Sequence, residues 1–254
     1  METKDIATIL LSALAVILSL VAFAVSYVRG QNEQRRAIRQ QLTETTDKIT
    51  ETQLEYAKLM FGEAKDNLAM QQAIENIMGQ RTGSLLNQAV YLTTQAPSLV
   101  TAVDYNTIAI ISGNAGDLVL AETNFLKAIE SSPVGFARSG MTRSYAGFLF
   151  AQRRFEEGRK AFRDAATMVT GADNLARMQK GVIYLSWGWC EQNNANAPKQ
   201  AEGAFESANG EFSGIDNEAM RQAALARLEF AKGSQVPPSP QVLHRRDAQV
   251  TTTA

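Results

Sequence analysis

Residues 121–128 read AETNFLKA, residues 158–165 read GRKAFRDA and residues 201–208 read AEGAFESA. Each stretch places a small residue first, phenylalanine four positions on and alanine three beyond that. On a helix those steps gather the three side chains on one face. The small residue lets a neighbouring helix approach, and the phenylalanine fills the groove between the two. Three such stretches predict an all-α chain in which helical hairpins recur.

Around the first stretch the pattern is fuller. Tyr105, Ile108 and Ala109 precede it, Gly116 supplies a turn, Leu118 opens the second helix and Pro133 ends it. Alanines at 109 and 121 suit the contact of paired helices, and proline cannot continue a helix because it has no N–H to donate. This arrangement resembles the tetratricopeptide repeat over residues 102–135. A second, weaker unit near 139–172 carries Tyr145, Ala146, Leu149, Phe155, Gly158, Phe162 and Ala165, with Arg153 at the turn and Thr170 in place of the proline. A third, near 181–214, carries Tyr184, Trp187, Gly188, Ala201, Phe205 and Ala208, with an insertion between Asn193 and Pro198. Helix 217–232, with Ala219, Met220, Ala223, Ala224, Ala226 and Leu228 on one side, is expected to cap the stack.

The resemblance implies an α-solenoid whose first helices line a concave groove. The residues it directs into that groove are Asn106, Ile110, Asn114, Arg143, Gly147, Phe150, Trp189, Gln192 and Asn193. Asn106 matches the asparagine of the family's carboxylate clamp, but Val103 and Gly140 stand where clamp lysines are expected, which argues against a chaperone-tail receptor. Asparagine, arginine and tryptophan together suit an extended peptide, through amide hydrogen bonds, a carboxylate pair and an apolar anchor.

Ahead of the repeats, Asp5 and Arg29 bracket a stretch without charge. As a helix it would be roughly 34 Å long, enough for a hydrocarbon core of about 30 Å. Residues 1–30 are therefore expected to be a retained single-pass transmembrane anchor. The competing reading is a cleaved leader, for which Ala22, Phe23 and Ala24 give a small-x-small site. Arg29, Arg35, Arg36 and Arg39 would orient the C-terminal bulk to the cytoplasm. Thr8, Ser12, Ala15, Ser19, Ala22 and Ser26 form a small-residue stripe suited to helix association.

Residues 31–60, free of Pro and Gly, predict a juxtamembrane helix with a heptad-like seam of Ile38, Leu42, Thr45, Ile49, Thr52, Tyr56 and Leu59. The seam suits packing on the downstream domain or a short coiled coil. The helical domain is expected over 61–233. Breaks at Gly62, Gly79 and Gly83 would separate helices at 66–78 and 84–95, and Ser98 would cap the helix that follows. Residues 234–254, rich in Pro and polar residues, predict a disordered tail.

Chemistry-bearing motifs are sparse. The chain has one cysteine, Cys190, and one histidine, His244, and a net charge of −1. No phosphate-binding loop, dinucleotide fingerprint or zinc motif occurs, so no cofactor, metal or catalytic residue is expected. Cys190 reads as a packing thiol. Arg138, Arg143, Arg153, Arg154, Arg159, Lys160 and Arg163 make one local basic excess, read as a solvated face with pairs such as Glu156/Lys160 or as a surface for an acidic partner. Nucleic acid is a poor fit without a reading motif. The expectation is a non-catalytic membrane-anchored scaffold that recruits a protein or peptide partner, its N-terminal helix contacting lipid. The alternatives are an oligomeric structural membrane scaffold built on the stripe and seam, with homo-oligomeric partners, and an extracytoplasmic assembly factor of reversed topology.

Overall fold

The computed structural model describes residues 3–65 and 67–233, with side chains from residue 26. Among them the chain is all-helical, without a strand, and it divides into two compact units between Val100 and Thr101.

The first unit is a hairpin of two long helices, α1 (Thr3–Phe61) and α2 (Leu68–Gln95), followed by a 3-10 turn at Pro97–Leu99. Positions 30 and 60, the expected ends of anchor and stalk, both lie inside the continuous α1. The heptad-like seam is the packing face: Leu42, Thr45, Ile49 and Thr52 are buried, as are Met78, Leu86, Ala89 and Leu92 of α2. Threonine costs the seam little. The hydroxyls of Thr45 and Thr52 each donate to the carbonyl four residues back at 2.7 Å, so no polar group is stranded. Arg81 reaches Glu55 at 2.9 Å while Arg35 reaches Ser98 at 2.8 Å, which fixes the two helices antiparallel.

Of the expected glycine breaks, only Gly62 ends a helix. Its N–H donates to Lys58 O at 2.9 Å, and Asn67 then caps α2 by accepting from the Met70 N–H. Helix α2 runs straight through Gly79 and Gly83, where an added Cβ would meet nothing within 4 Å. A glycine costs a helix about 1 kcal/mol, less than the side-chain burial on both sides returns. Ser98 does not cap the next helix; that role falls to Thr101, which forms a reciprocal capping box with Asp104.

The expected membrane location is corrected. Among the described residues no helix is long and apolar enough to cross a membrane. The same helix carries Arg29, Glu33, Arg35, Arg36 and Arg39 within about three turns, beyond the stretch expected to span. The small-residue stripe up to Ala22, the cleavage-like Ala22 to Ala24, the polar tail and His244 lie outside the described side chains.

The second unit contains α3 (Ala102–Asn114), α4 (Leu118–Ser131), α5 (Phe136–Ala151), α6 (Phe155–Thr167), α7 (Asn174–Asn193), α8 (Pro198–Ser213) and α9 (Glu218–Gly233). Three pairs, α3/α4, α5/α6 and α7/α8, make the main contacts; α3 also touches α5, α5 touches α7, and α7 touches α9. All nine residues of the three recurring stretches are buried on the second helix of their pair.

Two devices repeat with them. Five residues ahead of each small residue the backbone takes positive φ: Gly116 at 85°, Arg153 at 60° and Asn196 at 50°. In the first two pairs the closing hydrogen bonds also match, Asp117 N–H to Ser112 O and Arg154 N–H to Leu149 O, both 2.9 Å. The turn therefore survives the loss of its glycine. The second device is a ring set against a glycine. A Cβ on Gly158 would stand 2.5 Å from the Phe150 ring, one on Gly188 2.6 Å from Phe205, and one on Gly181 inside Phe212. These distances leave hydrogen as the only substituent that fits.

Two charge networks, one buried and one partly exposed, tie neighbouring pairs together. Glu191 of α7, fully buried, accepts two hydrogen bonds from Arg159 of α6, both 2.7 Å, and one from the Trp187 indole at 2.8 Å. Glu122 of α4 accepts from Arg154 at 2.7 and 2.9 Å and from the Tyr145 hydroxyl at 2.6 Å.

Candidate functional site

The local basic excess of the second pair largely dissolves once partners are assigned. Arg154 and Arg159 are spent on Glu122 and Glu191, and Arg138 donates to Ser132 O at 2.7 Å across the end of α4. Lys160 pairs with Asp164 at 2.9 Å, not with Glu156, which instead meets Arg159. Arg143 differs from all of these. No hydrogen bond or ion pair engages it among the described residues.

Arg143 borders a cavity of about 330 Å³ between α5, α7 and α9. Gly147 lies beside it on α5, Leu185 and Trp189 come from α7, and Arg227 comes from α9. The positions follow from helical spacing. Arg143 and Gly147 are one turn apart, as are Leu185 and Trp189, so each helix presents one stripe to the opening. Gly147 has nothing within 4 Å of an added Cβ, which leaves the opening unobstructed on that side.

The electrostatics are unbalanced. Burial lowers the affinity of Arg143 for its proton, and the neighbouring Arg227 cation lowers it further. Arg227 likewise has no hydrogen bond or ion pair among the described residues. Ser144 and Ser186 also border the cavity, but their hydroxyls donate to Gly140 O at 3.2 Å and Val182 O at 2.8 Å, so their protons are already committed. Cys190, at the same cavity, is buried, and burial reinforced by Glu191 pushes its thiol up to about 12. It is a neutral thiol near pH 7, without nucleophilic character.

The expected groove residues thus separate into groups. Arg143, Gly147 and Trp189 come together at the cavity. Ile110 and Asn114 are exposed on α3, and Asn106 holds a buried side-chain oxygen with no hydrogen-bond partner. Gln192 reaches Lys232 O on α9 at 3.3 Å, and Asn193 donates to Trp189 O at 3.0 Å. Phe150 departs from the expectation: it is fully buried, packed on the Phe155 and Phe162 rings at 5.6 and 5.8 Å and against Gly158. Its ring is the one that requires glycine at 158. Arg227 escapes sequence reading because its helix shows only an alanine-rich stripe; which of the flanking residues meets α5 depends on how α9 docks.

Among the described residues, no group of three or more His, Cys, Asp or Glu side chains could hold a metal ion. No family model matches the chain, and no characterised relative or solved structure does.

Proposed function

We propose that the second unit is a non-catalytic protein-interaction module, an α-solenoid of tetratricopeptide-like hairpins that receives an extended segment of a partner protein. Support for the architecture comes from the recurring small–aromatic–small stretches, the shared positive-φ turn and the neighbouring first helices α3, α5 and α7. One observation carries the binding role: Arg143, unpaired among the described residues, and Trp189, partly buried, border the same open cavity. An arginine and a tryptophan around a depression are the side chains that most often dominate protein interfaces.

Recognition would then combine a charge-assisted contact at Arg143 with apolar burial on Trp189 and Leu185. Ile110 and Asn114, exposed on α3, extend the same reading toward the start of the unit. The test is capture of binding proteins by the wild-type chain and by the double variant Arg143→Glu, Trp189→Ala, with thermal melting as a control for folding. Loss of captured species from a folded double variant is the expected result. Unchanged capture rejects the cavity as the binding surface.

A further inference from the structure

We propose that Arg143 and Arg227 form an anion seat, and that it takes the phosphate of a phosphorylated residue in the partner segment while Trp189 and Leu185 cover that residue's apolar neighbour. The inference rests on the peptide-binding reading above and names the chemistry of its ligand.

Four other arginines of the unit are engaged within it. Arg138, Arg154, Arg159 and Arg177 all donate to carbonyls or carboxylates within the unit. Arg143, partly buried, and Arg227, exposed, come from different helices and border one cavity, and neither has an acidic partner among the described residues. Bringing two cations together at a partly desolvated site is unfavourable unless an anion joins them. The fold holds this repulsion in place through the docking of α9, whose Ala224, Leu228 and Ala231 are buried against the third pair.

Charge decides between anions. A carboxylate carries one negative charge and would cancel one of the two guanidiniums. A phosphate monoester carries about −1.5 to −2 near pH 7 and offers three acceptor oxygens, enough to engage both arginine forks. Since the Ser144 and Ser186 protons are committed to backbone carbonyls, the two guanidiniums are the charged donors at the cavity. The cavity, about 330 Å³, has room for a phosphate with an apolar group beside it, and Leu185 and Trp189 supply the matching wall.

The experiment uses the full chain and a degenerate nonapeptide pool with a fixed central phosphoserine, compared with the same pool carrying serine or glutamate there. Inorganic phosphate is the small-molecule arm. Expected is retention of the phosphoserine pool about tenfold or more above the glutamate pool, with the serine pool at background. Arg143→Gln and Arg227→Gln should each lower that retention about tenfold or more, with melting temperatures unchanged or raised because a repulsion has been removed. Equal retention of all three pools, or retention insensitive to both substitutions, overturns the seat; if Trp189→Ala still abolishes that retention, the groove reading stands without it. Preference for glutamate reassigns the site to acidic segments and also overturns the phosphate. Phosphate binding that needs both arginines, with no pool retained, overturns the peptide ligand and rejects the groove reading. Binding in no arm ends both.

Discussion

Gly79 and Gly158 are both glycines inside helices, yet they mean opposite things. In the first unit, α2 carries Gly79 with open space around it, and the helix tolerates the residue because a long seam on α1 holds both flanks. In the second unit, Gly158 faces the Phe150 ring so closely that no side chain fits. One glycine is a small loss borne by its surroundings; the other is a packing residue. The units differ in the same way throughout. The hairpin is held by a continuous line of medium-sized side chains, whereas the paired helices pack clusters of alanine and aromatic side chains, to which ring-against-glycine contacts and the buried Glu191 carboxylate are added.

The largest effect should come from those ion pairs. Arg159→Leu leaves the Glu191 carboxylate buried without its cation, and it should destabilise the second unit by about 3–5 kcal/mol in denaturant unfolding. A loss below 1 kcal/mol would show that the pair is not what joins α6 to α7. Next comes steric crowding: Gly181→Ala drives a methyl group into Phe212 and should cost about 1–3 kcal/mol.

Two smaller effects should have the opposite sign. Arg153→Gly relieves a left-handed backbone position that an L-residue occupies at a cost, and should stabilise by about 1 kcal/mol. Gly79→Ala, in open space, should stabilise the first unit by about 0.5–1 kcal/mol. If Gly79→Ala and Gly181→Ala shift unfolding in the same direction, the contrast drawn between the two units fails.

The smallest effect is the dependence on pH at Glu122 and Tyr145. Their mutual hydrogen bond, followed by Arg154, holds the Glu122 carboxyl below its usual range. A depressed folded-state value adds stability above the ordinary carboxylate range, and this is lost as pH falls through it. Burial first, and then Glu122, pushes Tyr145 up to about 12. That contribution is present below pH 10 and is lost as pH rises through 12. Tyr145→Phe should therefore flatten both the acidic and the alkaline limb of an unfolding-stability profile. A profile as steep as wild type at both ends would count against the hydrogen bond.

The repeat stretches were legible because their information is local: spacing of four and three decides which side chains share a face, whatever follows. The seam from Ile38 to Leu59 was legible for the same reason. The glycine-to-glycine segment of α2 was misread, since local propensity at Gly79 and Gly83 says break while the partner helix says continue. The charge pairing in the second pair was also misread. Glu156 and Lys160 satisfy the i,i+4 rule, but Arg159 and Asp164 offered each of them a better-placed partner. Arg143, Gly147 and Trp189 of the candidate cavity were visible in advance; Arg227 was not, because it belongs to a helix whose sequence shows only which side is apolar.

By itself, the order of residues determined that the described chain is helical, where the paired helices of the second unit turn and that the recurring small and aromatic residues are buried, because periodicity and turn preferences act over a few residues. Tertiary structure alone decided that Arg153 would adopt a glycine's conformation, that Phe150 would point inward against Gly158, and that two arginines far apart in the chain would share a cavity. Those outcomes depend on distances between elements, and such distances are set by packing, which no local pattern encodes.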